Sequence, residues 1–265
     1  MFSSNSPRLK FFAFAYRNWI IYLRNLFTAF ELLFWPVVSL LSVGLMTTFL
    51  KLDANTTTFI LIGAIAFSLV QVAQMDVSYI LLFDSWSKSI KHTFIAPVRG
   101  FHFVLGAWVM GMLRGLVVFL ILSLFSALVF SFDFLHPGPL PLLLFLLGLF
   151  INAAVIGTGV CILYVTFGQR AEVAAWTMVG FLMVLCGVYY PVSVFPAVVR
   201  AFAGLIPLTH FLEYFRSFYG FEAVYSWSLL WGFSLGILYF ALGLLLLELA
   251  INRARKSGLI TKLSE

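Results

Sequence analysis

GVYYPVSVFPAVVRAFAGLIPLTHFLEYFR, residues 187–216, is apolar enough to enter a bilayer and too often interrupted to cross one. Pro191, Pro196 and Pro207 each fix φ and remove an amide donor, so no straight spanning helix runs through them. The placement of this stretch decides the count of spans and the shape of one end of the molecule. Greasy, broken backbone at membrane depth is tolerated only where protein or a water-filled cavity shelters it. The expectation is therefore a short re-entrant helical hairpin rather than a span.

The rest of the chain supports a membrane setting. Of 265 residues, 63% are hydrophobic and 10% charged, with 31 Phe, 7 Trp and 10 Tyr. A soluble domain is roughly 45–50% apolar and about 25% charged, and a chain of this size could not bury so much apolar surface. The opening MFSSNSPRLKFFAFAYRNW has no clean apolar core or small-residue cleavage site, so it is not expected to act as a cleaved signal peptide. Cys161 and Cys186 lie in apolar runs without metal or redox spacing and read as small core residues.

Six spans of roughly 20 residues are expected at about 30–50, 57–83, 101–130, 140–167, 173–190 and 227–251. The fold class is all-α and polytopic, a single transmembrane domain over residues 1–265. The positive-inside rule orients it. With both termini in the cytoplasm, the inner face holds Arg8, Lys10, Arg17, Arg24, Lys88, Lys91, Arg99, Arg170, Arg253, Arg255, Lys256 and Lys262. The outer face holds only Lys51, Arg200 and Arg216, and Arg114 falls within a span. The net charge of +6 is this asymmetry, and nucleic-acid binding is not needed to explain it.

This topology puts the hairpin, residues 188–222, at the outer face. Tyr189, Tyr190, Phe195, Phe202, Phe211, Tyr214 and Phe215 are expected near the interface, where aromatic rings settle. They read either as an anchoring belt or as part of an outer gate. Glu213 and Arg216, three residues apart, are expected to pair on one exposed helical face. At the other end of the chain, residues 1–28 read as an interfacial elbow helix. Lys10, Arg17 and Arg24 recur every seven residues and are expected to face lipid phosphates, with Phe11, Phe14, Trp19 and Tyr22 covering much of the rest.

Catalytic signals are nearly absent. There is no GxxxxGK[ST] phosphate loop and no HExxH, and His92, His102, His136 and His210 are scattered. No catalytic or metal site is expected. GFSLG, residues 232–236, matches the nucleophile-elbow pattern, but that motif needs a strand-to-helix turn. Inside an apolar helix it reads as small-residue packing, as do Ala107, Gly111 and Gly115. Charges within spans are functional candidates. Asp76 and Arg114 lie on sequential spans at depths an arginine can bridge. The alternatives are a structural ion pair, a contact with cavity water or substrate, or span boundaries that lie elsewhere and leave one charge outside the span. Glu31 and Glu248 fall near span ends.

The loop DSWSKSIKHTFIAPVRGFHFVLG, residues 84–106, is too long for a tight turn. Residues 85–95 can form an amphipathic helix, which Pro97 ends before Gly100 turns the chain into the next span. An apolar face with no lipid beside it invites a partner protein.

With these features in order, the chain resembles a permease subunit of the type-2 ABC exporters. The resemblance rests on KHTFIAPVRGFHFVLG after the second span, then on YYPVSVFP and IPLTHFLEYFR after the fifth. The elbow, the six spans and the basic tail agree with it, so it covers nearly the whole chain. One departure is that Lys88 and Lys91 stand where a Gly-Thr-x-Glu-like stretch is often found. The resemblance implies a coupling helix at 84–100, with Ser85, Trp86, Lys88, Ile90, Lys91, Phe94, Ile95, Pro97 and Arg99 contacting two copies of a separate ATP-binding subunit. It implies an outer gate made of Tyr189, Tyr190, Pro191, Pro196, Phe202, Pro207, His210, Glu213 and Arg216. ATP and magnesium would bind the partner and no cofactor this chain. A second permease copy would complete a homodimer in the cell inner membrane, moving an amphipathic or hydrophobic substrate outward. A secondary transporter and a polytopic membrane enzyme are the rival readings. The first should show internal repeats with broken helices in both halves, and only the second half has one. The second needs converging polar groups.

Overall fold

The computed structural model describes residues 7–24, 26–95 and 98–257. Among these the chain is all-helical, with no strand. The α-helices in order are α1 Pro7–Arg24, α2 Leu26–Phe49, α3 Ala54–Trp86, α4 Ile90–Ile95, α5 Gly100–Phe130 and α6 Pro139–Phe167, then α7 Ala174–Leu185, α8 Ala197–Ala203, α9 Pro207–Ser217 and α10 Ser228–Ser257. A tight 3-10 turn, Gly168–Val173, joins α6 to α7.

Four stretches are long and apolar enough to cross a membrane: Ala54–Trp86, Gly100–Phe130, Pro139–Leu185 and Ser228–Lys256. A shorter apolar helix, Leu33–Phe49, lies within α2, which carries Pro36. The fifth expected span begins in the 3-10 turn and its α-helix stops at Leu185, 12 residues long. At 1.5 Å per residue that helix is about 18 Å, short of a hydrocarbon core of about 30 Å. A turn with Gly187 in the left-handed region (φ 67°) follows, so the chain leaves α7 before the expected limit of residue 190.

The bundle is built around α3, which packs on α2, α5, α6, α7 and α9. Leu61, Ile62, Ile65, Leu69, Val77 and Leu81 on it are fully buried. Small residues set how closely its neighbours approach. A Cβ on Gly111 of α5 would lie 2.5 Å from the Ala73 carbonyl oxygen, and one on Gly157 of α6 would lie 2.5 Å from Val77. The GFSLG run packs in the same way, Gly232 against Phe211 and Gly236 against Ile151. Lipid tails are as apolar as these side chains, so helices associate through such van der Waals fit rather than hydrophobic exclusion. Cys161 and Cys186 are buried and free.

The N-terminal helix α1 packs along α5, where Phe14 covers Gly106 and meets Phe103 edge-on. Glu248 of α10 accepts the Gly100 amide at 2.8 Å, filling a donor that the start of α5 leaves open. Asp53 caps α3 at the opposite end. The Thr56 hydroxyl and amide both donate to it, holding its carboxyl below the usual range.

Candidate functional site

Three polar clusters punctuate the apolar bundle, one at each end and one at mid-depth. The first is built by the segment quoted at the outset. Pro191 and Pro196 stand at the helix entrances before Val192–Val194 and Ala197–Ala203, and Pro207 opens α9. Proline is tolerated there because its missing amide would have had no helical partner. The prolines therefore start short helices rather than break a long one. Arg200 donates to the carbonyls of Ser193 (2.8 Å) and Phe195 (3.0 Å), closing the loop between Pro191 and Pro196. Tyr225 donates from its hydroxyl to the Arg200 carbonyl. His210 meets the Gly204 carbonyl through Nε2 at 2.8 Å, and burial holds its pKa below the ordinary imidazole value.

Arg216 and Glu213 are not the exposed pair expected from their spacing. Arg216 is 3% exposed and turns toward α3. Its guanidinium donates to the carbonyls of Gly187 (2.7 Å), Val188 (2.6 Å) and Phe59 (3.0 Å), and it lies 3.4 Å above the Phe59 ring. Gly63 makes room: a Cβ there would sit 1.8 Å from the Val188 carbonyl oxygen. Glu213 instead accepts the Tyr225 amide at 3.1 Å. Both groups are in α9, where buried apolar neighbours desolvate them. Burial lowers the Arg216 pKa to about 9, against the attraction of Glu213, and raises that of the Glu213 carboxyl. The reason for the correction is geometric. A planar fork reaches three carbonyls at once, and those carbonyls lie just after α7 and within α3, far from residue 216 in sequence.

The aromatic residues of this segment divide. Phe211 and Phe215 are fully buried, Phe215 stacking on Phe145 at 4.2 Å and on Phe134 at 4.9 Å. They fill the core rather than an interface, a second correction. Phe202 is 59% exposed, and Tyr189 and Tyr190 are half-buried. A cavity of about 40 Å³ lies between Pro191, Glu213, Arg216 and Glu222, room for about one water molecule.

At mid-depth Arg114 of α5 donates to Asp76 of α3 at 2.5 Å. The Asp76 side chain is fully buried and that of Arg114 is 15% exposed. The structure makes the ion pair, one of the readings left open by the sequence. Two charges at this depth are tolerated because each supplies the other's counter-charge and hydrogen bond.

The third cluster sits where α3 ends. The expected helix over residues 85–95 is shorter: Ser85 and Trp86 belong to α3, and the separate helix is Ile90–Ile95. Lys88 occupies the left-handed region (φ 54°) and turns the chain between them. Asp84, 5% exposed, organises the turn. Its Oδ1 accepts from Arg17 of α1 at 2.7 Å, and its Oδ2 accepts from the Thr93 hydroxyl of α4 at 2.8 Å. Arg17 also donates to the Ile80 carbonyl at 3.5 Å. Arg17 thus faces protein and not lipid phosphate, which corrects its expected role. Ile90 is fully buried, Trp86 is 48% exposed and Ile95 is 82% exposed. Ser85 is buried near the Gln169 amide, and Lys88 and Arg99 are exposed. Pro97 and the side chains of Arg24, Tyr22, Glu31, Lys91 and Phe94 lie outside the described residues. Sequence reasoning missed Asp84 altogether, because its partners stand 67 residues before it and 9 after it. Its only sequence signal was an acidic residue closing an apolar run.

The family model described as ABC-2 type transporter matches residues 10–219. A protein of Archaeoglobus fulgidus, called only an uncharacterized protein, is 57% identical over 42 residues. That segment is 16% of this chain and spans 66% of the relative's length.

Proposed function

The chain belongs to the ABC-2 type transporter family, and from that premise we propose that it is the membrane subunit of an ATP-driven exporter. It is a multi-pass membrane protein and a transport subunit rather than an enzyme. In this reading six segments cross the cell inner membrane, the fifth by joining short α7 to the 3-10 turn Gly168–Val173 before it, α1 is the interfacial elbow, and both termini are cytoplasmic. The Asp84 end then faces the cytoplasm and the Arg216 end faces out. Two copies of the chain form the pathway as a homodimer, in contact with membrane lipids. Two copies of a separate ATP-binding subunit dock on α4 and hold ATP and magnesium, while this chain binds no cofactor.

The observation that carries the reading is α4. A six-residue helix, buried at Ile90, ends in an isoleucine that the bundle leaves 82% exposed. An exposed apolar side chain at the end of α4, with Trp86 and Lys88 also exposed at the end of α3 and in the turn after it, suits a socket on a partner protein. Closure of the ATP-binding pair would move α4 as a lever, and α8–α9 with Phe202, Tyr189 and Tyr190 would open the outer exit. The cargo is amphipathic or hydrophobic: a lipid-linked saccharide, a lipo-oligosaccharide or a drug-like molecule. Aromatic faces serve both sugar rings and greasy groups, and the stretch NLFTAFELLFWPVVSLLSVGL, residues 25–45, resembles the drug and lipo-oligosaccharide branch.

Affinity capture tests the reading. The tagged chain, co-expressed with ATP-binding subunits encoded beside its gene, should retain one of them. Ile95→Asp should lower that capture by at least about tenfold and leave the thermal unfolding of the chain unchanged. Undiminished capture by the variant would remove α4 as the docking element.

A further inference from the structure

The carboxylate of Asp84 joins three helices that the sequence separates. It belongs to α3, its Oδ1 holds Arg17 of α1, and its Oδ2 holds Thr93 of α4. Ser89, in the turn before α4, also reaches Oδ1 at 3.4 Å. We infer that Asp84 is a positioning residue that fastens the N-terminal helix and the docking helix to the end of α3, so that a load on α4 is shared with α1. This deepens the docking reading above and rests on it for the source of the load. The fastening itself does not need a partner.

Three observations make this more than a surface ion pair. Asp84 is 5% exposed and the Arg17 side chain only 30%, so the pair is sheltered from the screening that weakens exposed pairs. Each carboxylate oxygen serves a different helix, so neither contact substitutes for the other. Finally, α1 packs along α5, Phe14 on Gly106 and Phe103, and the Arg17 guanidinium lies 5.0 Å from the Phe14 ring centre. Asp84's partner on α1 therefore abuts the residue that packs on α5. Asp84, Arg17 and Phe14 thus add a path through α1 beside the direct packing of α3 on α5, made of charge-assisted hydrogen bonds and close packing.

Amide hydrogen exchange of the full chain in lipid nanodiscs tests the inference, because it reads each helix separately. Asp84→Asn should speed exchange in both α1 and α4 by about ten- to a hundredfold, the range expected when hydrogen bonds to a charged group are lost. The same variant should leave α6 and α10 at wild-type rates. Arg17→Gln should release α1 alone and Thr93→Val should release α4 alone, while Arg17→Lys, which keeps the charge, should retain most of the α1 protection. Asp84→Asn without effect on either α1 or α4 would overturn the inference. So would faster exchange throughout the bundle, which would make Asp84 a general stabiliser. If Asp84→Asn does not fold, the two single-arm variants decide. Their arms must separate, and release of both helices by either one refutes the arrangement. Failure of the docking reading would show elsewhere, as wild-type chain that captures no ATP-binding subunit.

Discussion

An arginine at one end of the bundle and an aspartate at the other each tie three distant pieces of chain together, under opposite electrostatic conditions. Arg216 carries its charge into a nearly dry site and meets only neutral carbonyls and the Phe59 ring. Asp84 keeps a formal counter-charge in Arg17, which reaches partway into solvent. The first arrangement is rigid, since three carbonyl dipoles and a planar fork admit one geometry. The second has two independent arms, each of which can yield without the other. The proposed gate is thus held by a single many-point clamp and the proposed lever by a divided one.

The largest effect should come from breaking the clamp. Arg216→Ala leaves the carbonyls of Gly187, Val188 and Phe59 without their donor. Each buried carbonyl left unsatisfied costs about 1–3 kcal/mol. Thermal unfolding in detergent should fall accordingly, and Arg216→Lys should not rescue it, because one ammonium cannot span three carbonyls. A loss no larger than that of Arg17→Gln would erase the contrast between the two ends.

Gly63→Ala tests the same clamp from its other side. The added Cβ would meet the Val188 carbonyl at 1.8 Å, with an Arg216 nitrogen 2.7 Å away. Overpacking of this kind costs about 1–3 kcal/mol. Combined with Arg216→Ala, the loss should be less than the sum, since both substitutions disturb one set of contacts. Strict additivity would show that Gly63 acts apart from the clamp.

The smallest effect concerns Glu213. Burial raises its pKa against the opposing hydrogen bond from the Tyr225 amide and the charge of Arg216. A carboxyl whose folded pKa lies above its unfolded value adds stability at pH below the unfolded value, about 4.3. That contribution is lost as pH rises through the folded value. The wild-type chain should therefore gain stability as pH falls toward the unfolded value, about 4.3, and Glu213→Gln should flatten that part of the profile. An unchanged profile in the variant would assign the pH dependence to another group.

The amino-acid order alone declared the membrane setting, the helical class, the positions of the long apolar helices α3, α5, α6 and α10 and the exceptional character of residues 187–216. Those features are one-dimensional: apolar length, charge asymmetry, and prolines that remove amide donors where they stand. The small-residue stripes at Gly111 and in GFSLG were legible for the same reason, since helical spacing alone puts them on one face. Spacing also suggested that Asp76 and Arg114 could meet, and tertiary packing decided that they do. What spacing misjudged were the partners of Arg216, Glu213 and Arg17. Residues three apart on a helix can pair, but a buried guanidinium goes where several carbonyls converge. The convergence of Gly187, Val188 and Phe59 exists only once α7, α3 and α9 are packed. Asp84 illustrates the same limit. One carboxylate with two oxygens can join helices from three parts of the chain, and which helices it joins is set by the fold that brings them within hydrogen-bond reach.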